Sequence, residues 1–450
     1  MANAEDPASS ATASKPAPQP AWLDARFDLT GQGADWRREL NAGTTTFLAM
    51  AYITVVNPGI LSETGMDFGA VFVATCLAAA FGTLIMGLLA NYPIGLAPGM
   101  GQNAFFTYTV VLGMGFPWQT ALGAVFLSGL IFLALSVLPV REWLINSIPR
   151  NLKLGMSAGI GLFLAYIALK NAGVVAGNPA TLTSFGDLTS PGPIALLLGF
   201  TLITALAARG ITGAVIIGML AVSIVAWVTG LAPFQGIVST PPSVAPVFGQ
   251  LDIAAALDPA LISVILALLL VDVFDTAGTL VGVATRGKLL DSEGKLPRLR
   301  GALLADSLAT TAGAVAGTSS TTSFIESAAG VECGGKTGLT AVTIAALFLA
   351  CLVFAPLAQS VPAYASAAAL LFVAALMARS LADMDWEDLT EAAPAVVTAI
   401  AMPLSFSIAD GIGLGFISYA LIKILSGRMG ECPLAVYLVA VIFGFKFALL

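Results

Sequence analysis

The chain alternates long apolar runs with short polar, Gly- or Pro-containing breaks, and the runs have the length of membrane-spanning helices. At 1.5 Å rise per residue, about 20 residues cross a hydrocarbon layer ~30 Å thick. Read this way, spans are predicted at about 44–61, 68–90, 94–112, 117–139, 151–170, 192–208 and 211–230. After the Pro-rich loop PPSVAP a second set follows at about 258–284, 300–316, 318–335, 338–358, 361–379, 391–408 and 410–426. The fold class expected is an all-α polytopic membrane protein with 14 transmembrane segments. Seven spans per half make the halves enter the membrane in opposite directions, the arrangement of an inverted repeat. Two spans at matching positions do not read as regular helices. The third opens with GLAPGMGQNAFF (Gly95–Phe106), and the tenth opens with GTSSTTSFIES (Gly317–Ser327). Non-helical backbone at membrane depth persists only where it is buried in protein or lines a cavity, so these two segments are expected to meet at a site. A last apolar run, 435–450, either crosses or lies along the surface.

Composition agrees with the pattern. The 450 residues are 58% hydrophobic and only 10% charged, with a mean hydropathy of +0.92, outside the range of an ordinary soluble domain. With the N-terminus on the cytoplasmic side of a multi-pass cell membrane protein, every Lys and Arg except Lys170 and Lys446 falls inside, as the positive-inside rule requires. The run Arg286–Arg300 is then a solvated cytoplasmic loop, Trp22–Arg38 an amphipathic cytoplasmic stretch, and residues 1–20, rich in Ala, Ser and Pro, a disordered tail rather than a leader. The net charge of −7 carries no basic patch of the kind that binds nucleic acid. No histidine is present, which argues against a His-based triad or proton relay, and the four dispersed cysteines read as small buried residues. No cofactor or metal is expected.

The chemistry-bearing residues stand out against this apolar background. Asp272 and Asp275 follow the uncharged run Ala260–Val271. An acid at the centre of a span costs roughly 2.5–3.5 kcal/mol, so two of them one turn apart point to a substrate or ion site. Asp275 lies eleven residues from Arg286, about 16 Å of helix, near the middle of the layer. Asn103 and Glu326 close the two broken segments, and Phe105, Phe106, Phe324 and Tyr52 are candidates for flat apolar walls. Acids, one amide and aromatic walls suit a flat, uncharged ligand with N–H donors and C=O or ring-nitrogen acceptors, as a nucleobase is. In a desolvated carboxylate the charged form is the costly one, so these acids are also natural carriers of a coupling proton, with sodium as the alternative. Asp306, a turn and a half beyond Arg300, is read as pairing near the inner interface, and Asp410 as sitting at an outer loop end.

TTTFLAMAYITVVNPGIL (Thr44–Leu61), GLAPGMGQNAFF, DVFDTAGTLVGVA (Asp272–Ala284) and GTSSTTSFIESAAGV together resemble the AzgA-like purine permeases, a branch of the nucleobase-cation symporters related to uracil and xanthine permeases. The similarity runs from about residue 25 to the end. It implies two inverted seven-span repeats of the uracil-permease kind, with short strands in the broken spans 3 and 10. A core domain comes from spans 1–4 and 8–11 (41–140, 258–360) and a gate domain from spans 5–7 and 12–14 (141–230, 361–428). The N-terminal tail (1–40), the outer loop 231–257 and the hydrophobic segment 429–450 complete the chain. The resemblance implies proton-coupled uptake of adenine, guanine or hypoxanthine, ligand contacts from Asn103, Asp275 and Glu326, and Asp272 as a further essential acid. Asp272 and Glu326 are the expected proton-coupling residues, and a homodimer is expected. Uracil permeases carry a histidine where Thr279 stands, so that contact does not transfer. An anion carrier of the same fold is disfavoured by the acids. A membrane enzyme with a metal at Asp272 and Asp275 is disfavoured for want of a second Asp-rich cluster.

Overall fold

The computed structural model describes residues 19–138, 148–291 and 296–449. Most of the expected tail (1–18), with Lys15, and also Arg141, Lys295 and Leu450 lie outside the described residues. Helices α1 (Ala21–Phe27), α2 (Trp36–Met50), α3 (Ile53–Ser62) and α4 (Phe68–Ile85) lead to strand β1 (Leu96–Pro98) and the short α5 (Met100–Ala104). Then come α6 (Trp118–Val137), α7 (Arg150–Asn171), the hairpin β2 (Val175–Asn178) and β3 (Leu182–Phe185), α8 (Pro191–Ala208) and α9 (Ala214–Val228). The second half runs α10 (Ile262–Gly287), α11 (Leu299–Ala316), β4 (Thr321–Ser323), α12 (Ser327–Glu332), α13 (Gly338–Ala350), α14 (Ala363–Ala378), α15 (Leu389–Ser405), α16 (Ile408–Leu425) and α17 (Leu434–Leu449).

Among the described residues, nine helical stretches are long and apolar enough to cross a membrane. They fall on nine of the expected spans. The other five are the two broken segments, the shorter apolar helices α9 and α15, and α11, whose sequence carries Asp306 and three threonines or serines nearby. The first span is itself interrupted at Ala51 and Tyr52, where Thr54 N (3.1 Å) and Thr54 Oγ1 (2.8 Å) both donate to the Ala51 carbonyl.

Contacts between helices occur in matched pairs across the two halves. The packing of α6 on α11 answers that of α13 on α4, α7 on α15 answers α14 on α8, and α8 on α9 answers α15 on α16. Three contacts answer themselves: α4 with α11, α7 with α14, and β1 with β4. At the α4–α11 contact a Cβ on Gly82 would lie 2.6 Å from the Ala309 Cβ, so only glycine allows this approach.

Within the segment 435–450, the described residues to 449 belong to the helix α17, packed on α16. Lys446 Nζ, near its end, bonds Asp410 Oδ1 at the start of α16 at 2.6 Å, so the two helices are antiparallel over their whole length. Asp410 is thus a paired residue of a helix's first turn, and one of the two off-pattern lysines has a partner. The cysteines need a correction: Cys76 and Cys432 are buried, but Cys333 is exposed and Cys351 only half-buried, and all four are free. Cys333 ends α12 at a turn instead of packing inside it.

One carboxylate holds the first span to the eleventh. Glu39 is fully buried and accepts from Lys336 N (2.8 Å), Thr337 N (3.2 Å) and Oγ1 (2.9 Å), and Thr340 N (3.3 Å) and Oγ1 (2.6 Å). It thereby takes up orphan donors at the N-terminus of α13, where negative charge is favourable. Replacing Glu39 by Ala leaves these donors unpaired in a dry site and is expected to cost about 2–4 kcal/mol. Equilibrium unfolding in mixed detergent micelles checks this, and an Ala variant as stable as the parent contradicts the clamp.

Candidate functional site

The two broken segments cross and pair. Pro98 forces Ala97 toward extended backbone, and Thr318–Ser323, hydroxylated throughout and half of it β-branched threonine, follows the left-handed Gly317. β1 and β4 are antiparallel in the register Leu96↔Ser323, Ala97↔Thr322, Pro98↔Thr321. Gly99 N donates to Ser320 O and Phe324 N to Gly95 O, each at 2.9 Å. By the alternation of an antiparallel ladder, Pro98↔Thr321 and Leu96↔Ser323 are then the non-hydrogen-bonded pairs, so a proline without an N–H is tolerated here. The peptide groups of Leu96 and Thr321 point outward and are met by side chains. Thr83 Oγ1 accepts from Leu96 N (2.8 Å) and donates to Leu96 O (3.0 Å). Thr310 Oγ1 accepts from Thr321 N (3.2 Å) and donates to Thr321 O (2.8 Å).

The candidate residues gather around this crossing. Glu326, half-buried, precedes α12, and Tyr52 donates its hydroxyl to Glu326 Oε1 at 2.6 Å. Tyr52 sits in the break between α2 and α3 and is fully buried, so it fixes the carboxylate in addition to contributing a ring. Asp275, also half-buried, lies within electrostatic reach of Glu326. One turn on, Gly278 is exposed and a Cβ there would meet open space, so Asp275 borders an accessible face of α10. Asn103 in α5 is fully buried and takes a short hydrogen bond from Ser319 Oγ on its Oδ1. Its Nδ2, the neighbouring Gln102 Oε1 and Ser320 Oγ are buried without a partner. Buried polar atoms are rarely left unpaired, and here they cluster at the ends of the two crossing segments. Phe105, Phe106 and Phe324 are buried nearby in the chain, with exposures of 2%, 1% and 4%.

Asp272 stands apart from the other two candidate acids. It is 1% exposed, with Gln102 Nε2 donating to Oδ1 (3.1 Å) and Thr310 Oγ1 against Oδ2 (2.9 Å). Asp306 lies beside it, fully buried, and here the expectation of a pairing near Arg300 is overturned. Its oxygens take Thr276 Oγ1 at 2.7 Å and Ser323 Oγ at 3.3 Å, and Thr276 Oγ1 is 2.9 Å from Thr322 Oγ1. Six helical residues carry Asp306 about 9 Å from Arg300, enough to reach the back of β4. Gln102, Thr276 and Thr310 went unnoticed in the sequence. The available signal was the i, i+4 spacing of Asp306 and Thr310, which puts both on one face of α11.

Residues 37–414 match a family model described as a permease family, Xan_ur_permease. The chain is 48% identical over 424 residues to the adenine permease AdeP of Escherichia coli (strain K12), covering 94% of this chain and 95% of that one. It is 44% identical over 432 residues to the guanine/hypoxanthine permease PbuO of Bacillus subtilis (strain 168), covering 93% and 98%. Among solved structures, the transmembrane domain of the cyanobacterial bicarbonate transporter BicA superposes with a TM-score of 0.63 at 14% identity, covering 83% of this chain and 96% of that one, a likeness of fold.

The network behind the crossing makes its own prediction. Thr276→Val removes the hydroxyl between Asp306 and Thr322, and unpairing a buried carboxylate oxygen is expected to cost about 1–3 kcal/mol. Unfolding in mixed micelles reads this, and an unchanged midpoint would show the network to be dispensable.

Proposed function

The chain belongs to the permease family Xan_ur_permease, and from that premise we propose that it imports purine nucleobases, adenine, guanine or hypoxanthine, together with a proton. The observation that carries this reading is a pair of half-buried acids within electrostatic reach of each other, Asp275 and Glu326, at a strand crossing that also holds a buried amide, Asn103, whose Nδ2 has no partner. Two acceptor groups and one free donor match the edge of a purine, which offers N–H, C=O and ring nitrogen. The names of the relatives, adenine permease and guanine/hypoxanthine permease, support the same class of ligand. In this reading Asn103, Asp275 and Glu326 bind the base, Tyr52 holds Glu326 in place, and Phe105 and Phe324 line the pocket. Asp272, sealed behind them, carries the proton. A sulfate-type anion is disfavoured, because the two acids would repel it, and the likeness to a bicarbonate transporter extends to fold alone.

The matched helix contacts and the self-paired β1–β4 crossing support two inverted repeats of seven spans, with α17 outside the repeat. We assign 41–140 and 258–360 to a core domain that holds the site, and 141–230 and 361–428 to a gate domain against which it moves. The N-terminus lies on the cytoplasmic side, the loop 231–257 lies outside, and the working unit is a homodimer. Movement of the core then exposes the same site to either side, and uptake is driven because base and proton favour the same loaded state.

Two measurements test the reading. Uptake of labelled hypoxanthine is expected to fall as external pH rises and to collapse with a protonophore; uptake indifferent to both but dependent on sodium would overturn the choice of coupling ion. Asp275→Asn and Glu326→Gln exchange an acceptor for a donor and are expected to cost about 1.5–3 kcal/mol each, roughly one to two decades in affinity by calorimetry in detergent. Asp272→Asn is expected to bind within about threefold of the parent yet to lose accumulation. An equal loss of binding at all three positions contradicts the division of roles.

A further inference from the structure

The hydroxyl of Thr310 has one proton and too many acceptors. It lies 2.8 Å from Thr321 O and 2.9 Å from Asp272 Oδ2, and it accepts from Thr321 N at 3.2 Å. Its counterpart in the first half, Thr83, makes the same two contacts to the outward peptide of Leu96, and among the described residues no acid bonds it. In that half the hydroxyl proton goes to the strand carbonyl. If Thr310 does likewise, the close contact with Asp272 Oδ2 is filled by a proton on the acid: Asp272 donates to Thr310 Oγ1, Thr310 donates to Thr321 O, and Oδ1 accepts from Gln102. Every lone pair and proton of Thr310 is then used once.

We infer that Thr310 is a positioning residue that couples the protonation of Asp272 to strand β4. The inference rests on the proton-coupled reading. When the Asp272 O–H bond breaks and its proton leaves to water, the carboxylate is the stronger acceptor, and the Thr310 hydroxyl turns to it. Thr321 O then loses its donor. It has no other on the strand side, since it occupies a non-hydrogen-bonded position opposite Pro98. An unpaired carbonyl in a dry site is costly, so loss of the proton biases β4, and with it Glu326 three residues beyond the strand, toward a different arrangement. The charged groups facing Asp272 and its helix are Asp275 on α10 itself, Asp306 on α11, Glu326 before α12, and Lys153 on α7, which lies over the Phe274 ring.

The test uses the full chain in proteoliposomes with an imposed pH gradient, and compares hypoxanthine exchange with uphill accumulation. Thr310→Val is expected to exchange within about threefold of the parent while its accumulation ratio falls at least tenfold; Thr310→Ser, which keeps the hydroxyl, accumulates like the parent. Thr83→Val removes the same strand contact without touching an acid and is expected to keep accumulating. Parental accumulation by Thr310→Val, or an equal loss in Thr83→Val, overturns the inference. Infrared difference spectroscopy is the second readout and does not depend on how the valine variants fold. The parent at neutral pH is expected to show a protonated carboxyl band that Asp272→Asn removes, and absence of that band also overturns the inference. Parental accumulation that ignores the pH gradient would instead sink the transport reading, and the infrared result is judged separately.

Discussion

Extended backbone inside a membrane must find a partner for each peptide group, and this chain places two such stretches against each other. β1 and β4 satisfy one another along their shared edge, and their outward peptides are met by Thr83 and Thr310 from the crossing helices α4 and α11. That crossing is close because Gly82 lets Ala309 in. Without the pairing neither segment survives at that depth. With it, the two helix breaks are held antiparallel, with Asn103 just beyond β1 bonded to Ser319 and Glu326 just beyond β4 held by Tyr52.

The same construction sorts the acids by depth. Asp275 and Glu326 lie on the accessible side of the crossing, whereas Asp272 and Asp306 are sealed behind the strands and satisfied by Gln102, Thr276, Thr310 and Ser323. A ligand can reach the first pair directly. The second pair touches the strands through hydroxyls, and under the proposed coupling the protonation of Asp272 is read by the backbone rather than by the ligand. Tyr52 belongs to this logic as well: a buried phenol donating to Glu326 Oε1 holds the carboxylate still.

The apolar runs and the Gly/Pro/Ser breaks were legible in the sequence because membrane depth makes polarity expensive. Asp272, Asp275, Asn103 and Glu326 were conspicuous for the same reason; Pro98 and the hydroxylated run 318–323 marked the helix breaks, whereas the strands themselves were implied only by the family resemblance. Asp306 was misread because its distance from Arg300 was judged along the chain, whereas its partners come from α10 and β4. Thr276 and Thr310 were silent, since a threonine in an apolar helix usually bonds its own preceding turn and gives no sign of a distant partner. The antiparallel seat of α17 on α16 depended on one pair, Lys446 with Asp410, from positions read separately as an exception and a loop end.

The central claim is that a purine and a proton cross together through the site at the β1–β4 crossing. A pH-sensitive dye outside proteoliposomes that contain the purified chain tests it most directly, with hypoxanthine or sulfate added without any imposed gradient. The account predicts that hypoxanthine alkalinises the outside medium as protons enter with it, that sulfate does nothing, and that Glu326→Gln abolishes the signal. Proton movement on adding sulfate, or hypoxanthine entry with no proton movement, would contradict it.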